Sequence, residues 1–147
     1  MIYSLIITFQ LVLFGVQEDQ QNREETGTIK IQVGEFENTE GHLLVSLFNS
    51  KQYFPDNEKQ AFQNKKIKVS AKTHEVIFED IPYGEYAVIF LHDENDNEEM
   101  DTNFVGAPQE GYGASNDAVN TFSAPKYDEA KFTLNSETKN MQLKIFY

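Results

Sequence analysis

Cysteine is absent from all 147 residues, which rules out a disulfide framework and any thiolate metal site. Positive charge is scarce: 12 Lys and Arg stand against 24 Asp and Glu, for a formal net charge of −12. No nucleic-acid partner is expected, because a phosphate backbone needs a basic face that displaces its counterions. The one concentration of positive charge, Lys65, Lys66 and Lys68, is short and lies inside a strand-like pattern. An acidic surface favours solubility and cations instead. No apolar run reaches the roughly 20 residues that a membrane-spanning helix needs, so no integral membrane span is expected. Helical patterns of normal length and internal repeats are missing as well.

The chain opens with residues 1–17 (MIYSLIITFQLVLFGVQ), which carry no charge and hold an apolar run, Leu5 to Val16, of signal-peptide length. They read as an export signal, which places the protein in the periplasm or outside the cell. A retained buried strand is the alternative, since no Lys or Arg precedes the run. Residues 18–26 (EDQQNREET) form a polar linker, and residues 27–147 are then one domain, large enough to bury about two-thirds of its unfolded surface.

Within that domain the apolar pattern has period two, the mark of strands with one buried face. Ile29, Ile31 and Val33 alternate with Lys30 and Gln32, and His42 to Phe48 is apolar on both parities, as in a central strand. KQYFPDNEKQAF is the one short helix or turn, with Tyr53 and Phe54 folding over an end of the sandwich. Strands resume at Ile67 and Val69 and at Val76 and Phe78. The segment DIPYGEYAVIFLHD then predicts a tight turn, with Pro82 fixing φ and Gly84 at positive φ. Tyr86, Val88 and Phe90 face one way from it and Ala87, Ile89 and Leu91 the other. Lys131 to Leu134 and Met141 to Tyr147 flank a polar turn and close the chain. Seven strands predict an all-β, antiparallel sandwich with a long acidic and Gly-rich loop over residues 92–127. Structureless loops of that length are uncommon unless functional.

Inside that loop, DENDNEEMD places Asp93, Asn95, Asn97 and Asp101 at relative positions one, three, five and nine, with the Glu99 carbonyl at seven. A hard cation such as calcium takes six to eight oxygens, and a loop with alternate side chains turned inward supplies them. The pattern departs from an EF-hand, with Glu98 where a Gly is expected and Phe104 where a bidentate Glu is expected. Asx-turns at an exposed bend are the alternative reading of the same residues. Farther on, GAPQEGYGASN fixes an irregular backbone around Glu110, Tyr112, Ser115 and Asn116. With His92 and Asn103 these are the candidate ligand-loop residues. The competing reading is that the glycines pack the loop against the sandwich with Tyr112 as anchor.

The stretch HDENDNEEMDTNFVGAPQEGYGASNDA, from His92 to Ala118, resembles the secreted bacterial proteins grouped as the domain of unknown function 2141 family. LFNS at Leu47 to Ser50, the Phe54-Pro55 pair, FEDIPYGEYAV at Phe78 to Val88 and the alternating C-terminal strand are similar too. Family members carry Asn-Gly where this chain has Asn97-Glu98. The resemblance implies a secreted β-sandwich and supplies no activity. The pattern at Ile81 to Val88 also looks like the strand-turn signature of carboxypeptidase-regulatory-like and transthyretin-like sandwiches, and the sandwich expected is immunoglobulin-like or transthyretin-like.

Catalysis needs a nucleophile or an acid and base pair in a pocket, and the candidates are thin. His42, His74 and His92 lack metal-ligand spacing and no serine lies in a nucleophile-elbow context. The expectation is therefore a non-catalytic, extracytoplasmic binding or accessory module recognising envelope protein, peptide or glycan, with calcium as its candidate ion. The rival is a cell-envelope hydrolase using His92 and nearby carboxylates. Exposed edges would permit a dimer, and nothing in the pattern demands one.

Overall fold

The computed structural model describes residues 25–120 and 123–147. The expected signal segment therefore lies outside the described residues, as does most of the linker. The chain forms eight strands in two sheets: β1 (Thr26–Gly34), β2 (His42–Phe48), β3 (Gln63–Lys68), β4 (Thr73–Pro82), β5 (Gly84–Asp93), β6 (Gly111–Ala114), β7 (Phe132–Leu134) and β8 (Thr138–Lys144). One sheet has the order β4-β1-β8 and the other β3-β2-β5-β6, with β7 also on β5. The sandwich has one strand more than the pattern predicts, because β6 lies inside the segment expected to be structureless. One pair is also parallel, β1 with β8, in a sandwich whose other pairs are antiparallel.

Alternation explains the main core. Ile29, Ile31 and Val33 of β1 are fully buried against Val76, Phe78 and Ile81 of β4 and Leu43, Val45 and Leu47 of β2. Each such side chain contributes about 1.5–3 kcal/mol relative to an exposed one. The jump from Phe78 to Ile81 breaks the period of two, and the register shows why. Gly27 pairs Ile81 while Ile29 pairs Phe78, so β4 carries one extra residue in a bulge, with Asp80 at φ 55°. That residue takes the left-handed conformation predicted for Gly84, whose φ is not positive. No tight reversal is needed there. Only Tyr83 separates β4 from β5, and the chain passes from one sheet to the other.

β5 is the spine of the second sheet. β2 pairs along one edge, and the other edge is shared by β7 at Gly84–Tyr86 and β6 at Ile89–His92. The Ser115 hydroxyl accepts the Val88 amide at 2.9 Å in the gap between them and donates to the Ala130 carbonyl at 2.6 Å. A small second core lies on the outer face, where Phe54 meets Phe48 and Tyr127 edge-on at centroid distances of 5.4 and 5.7 Å. The turn before Pro55 and the four-residue helix α1 (Tyr127–Ala130) supply it. Among the described residues no helix is long and apolar enough to cross a membrane.

Candidate functional site

The parity that sends Tyr86, Val88 and Phe90 into the core carries His92 to the same inner face, where it is fully buried. Its Nε2 lies 2.8 Å from the Glu40 carbonyl, which can only accept, so Nε2 carries the hydrogen. Nδ1 then accepts a hydrogen bond from the Tyr147 hydroxyl at 2.8 Å, and that hydroxyl accepts one from the Glu37 amide at 3.2 Å. Phe36 and Tyr147 cover the ring edge-on at 5.0 and 6.0 Å. His92 thus has both nitrogens committed and no open face. Burial pushes the Tyr147 hydroxyl above its ordinary range, and the Glu94 and Glu37 charges add to that, against the Glu37 amide bond.

Asp93, also fully buried, points the other way and organises the acidic loop. Its two oxygens accept the amides of Asn97 and Glu98, each at 3.1 Å. Gly41, at φ +58°, lies flush against the Asp93 backbone: a Cβ there would be 1.8 Å from the Asp93 carbonyl oxygen. Asn95 Oδ1 accepts the Asn97 amide at 3.0 Å and Asn97 Oδ1 the Glu99 amide at 2.8 Å, both Asx-turns. The side-chain amides of Asn95 and Asn97 both donate to the Asp101 carboxylate. Asn95, Asn97 and Asp101 therefore converge, with Asp93 joined to them through the Asn97 backbone. Glu99 takes part through its backbone.

Glu98 occupies position six at φ 61°, the conformation glycine favours, and Asp96 sits at φ 62°. Both are strapped to the neighbouring strands. Glu98 pairs with Lys66 at 2.6 Å, and Asp96 bonds His42. The Lys66 bond holds the Glu98 carboxyl below its usual range and raises the lysine in turn, while the His42 bond lowers Asp96. Among the described residues, no group of three or more His, Asp or Glu is placed to hold a metal ion. A cation here would depend on the amide oxygens of Asn95 and Asn97 and the Glu99 carbonyl beside the two carboxylates.

The base of the loop is closed by Glu110, a buried carboxylate whose oxygens accept the amides of Glu94 at 2.9 Å and Asp101 at 3.1 Å. Beyond it, Ser115 and Asn116 are committed to the scaffold through their side chains and Tyr112 through its backbone. Tyr112 exchanges two 2.8 Å backbone bonds with Phe146, joining β6 to the tail of β8. Ser115 fills the gap beside β5, and the Asn116 side-chain amide donates to the carbonyls of Glu129, Ala130 and Lys131 at the end of α1. Asn103 Oδ1 holds the amides of Val105 and Ala107 at 3.0 Å, shaping the loop tip.

At that tip Phe104 is 100% exposed and Val105 71%, and neither is among the candidate ligand residues that the sequence singles out. The signal was two adjacent apolar residues between Asn103 and Gly106 in an otherwise polar run. The model of a family described as uncharacterized protein conserved in bacteria (DUF2141) matches residues 31–142, a span that contains the whole loop. No curated protein and no solved structure matches the chain.

Proposed function

Because the chain belongs to the DUF2141 family, whose description carries no activity, we propose its function from the site: a non-catalytic binding or accessory module that uses the loop over residues 93–110 as its working surface. The observation that carries this reading is the Glu110 clamp, in which the side chain at the end of an exposed loop holds the amide of Glu94 at its start and that of Asp101 in its middle. A loop tied in this way binds without the cost of being ordered. The sealed environment of His92 supports binding over hydrolysis, since a general base must come within hydrogen-bond reach of its substrate.

The proposal includes export through residues 1–17 and a partner of the cell envelope, which would meet the loop in the periplasm or outside the cell. It also includes a transthyretin-like or immunoglobulin-like architecture, in which recognition through loops at one end is common. Calcium enters as a structural ion. Asp93, Asn95, Asn97, Asp101 and the Glu99 carbonyl are the oxygens it would draw on, and its role would be to hold the loop rather than to react.

A panel of esterase, phosphatase and glycosidase substrates tests the catalytic half of the proposal. No turnover is expected from the purified protein. Turnover that disappears in His92→Ala would overturn the proposal in favour of an envelope hydrolase.

A further inference from the structure

Phe104 and Val105 stand apart from every other exposed apolar side chain described. Phe62, Met100, Phe146 and Tyr147 are 37–43% exposed, each keeping more than half its surface packed, whereas Phe104 is 100% and Val105 71% exposed. The tip that carries them is built to a definite shape. Asn103 and Ala107 are joined by a backbone bond of 2.9 Å, and a second 2.9 Å bond runs from the Gly106 amide to the Asn103 carbonyl. Thr102 bridges Pro108, and Gly106 takes a φ of +82° that side chains rarely adopt.

The loop's own charge is of one sign, with Lys66 of β3 offsetting Glu98 at its base. Residues 93–110 hold seven carboxylates and neither Lys nor Arg. An anionic lipid surface or a nucleic acid would be repelled by that field, while a cationic polypeptide would be drawn in. An aromatic side chain held out from a rigid tip is the usual anchor of a protein interface, and it needs an apolar contact on the other side.

Building on the binding-module reading above, we propose that Phe104 and Val105 are the anchor for a basic polypeptide segment that itself carries apolar side chains. The loop's exposed carboxylates select the partner's charge. The two apolar residues supply the grip.

A random-peptide display library panned on the whole protein tests this. The counter-target is the double variant Phe104→Ser/Val105→Ser, whose fold is checked by its melting curve. Peptides retained by the protein are expected to be net basic with aromatic or aliphatic residues, to bind at least about tenfold more weakly to the double variant, and to weaken as salt is raised. Neutral or acidic peptides, or basic ones that bind both proteins equally, would overturn the anchor while leaving a loop-binding module standing if Glu110→Ala abolishes their binding. Enrichment of no peptide would overturn both. Sedimentation with phosphatidylcholine vesicles that is lost in the double variant would overturn the proposal in favour of a lipid surface.

Discussion

The carboxylate of Glu110 accepts the backbone amide of Glu94 at 2.9 Å, closing the acidic loop across 16 residues of chain. Its other oxygen does the same for Asp101, so one buried side chain satisfies two amides. Hydrogen bonds to charged groups contribute about 1.5–3 kcal/mol each, and their loss strands the partners. Glu110→Ala is expected to lower unfolding free energy by about 2–4 kcal/mol, measured by urea denaturation. Glu110→Gln, which keeps one accepting oxygen, should lose less.

Ser115 stands where neither β6 nor β7 reaches β5. Its hydroxyl accepts a hydrogen bond from the Val88 amide and donates one to the Ala130 carbonyl. Ser115→Ala removes both and leaves a buried amide without an acceptor, an expected loss of about 1–3 kcal/mol. Amide exchange at Val88 should rise more than at Phe90. Equal exchange at the two would contradict this role.

Alternation marks β1 and β5, and it places His92 on the inner face because it shares parity with Val88 and Phe90. β6 is illegible by that rule: its Gly111 and Gly113 leave no apolar alternation. The glycines are there because a Cβ on Gly113 would stand 2.3 Å from the Phe90 ring and one on Gly111 2.6 Å from the Tyr147 ring. Those rings approach from elsewhere in the chain, as does the parallel partner of β1, and no local pattern announces either. The acidic loop was legible as a set of oxygens. Its clamp was not, since Glu110 is one carboxylate among 24 acidic residues until the fold brings it between Glu94 and Asp101.

Tyr147 links stability to alkaline pH. Its hydroxyl is pushed above its ordinary value of about 10. A folded value above the unfolded one means that the stabilisation is fully present below about pH 10 and is lost as pH rises through the folded value. Melting temperature should therefore fall above pH 10, and Tyr147→Phe should flatten that limb. Absorbance titration of the phenolates should show one group titrating late that the variant lacks.

Calcium is expected to raise the melting temperature if the loop holds it. At a concentration tenfold above the dissociation constant the gain is about 1.4 kcal/mol. Asp101→Ala removes the carboxylate on which Asn95 and Asn97 converge and should abolish the rise. A melting curve unchanged at millimolar calcium would exclude the ion and leave the Asx-turns, the Asp93 bonds and the Glu110 clamp as the loop's frame.

A loop fixed before it meets a partner keeps its amides bonded in the free protein. Amide hydrogen exchange at Glu94, Asn97, Glu98 and Asp101, whose N–H groups are held by Glu110 and Asp93, tests it most directly. Protection at all four in the free protein, with loss at Glu94 and Asp101 in Glu110→Ala, is the predicted result. Exchange at the rate of an unstructured chain would contradict it.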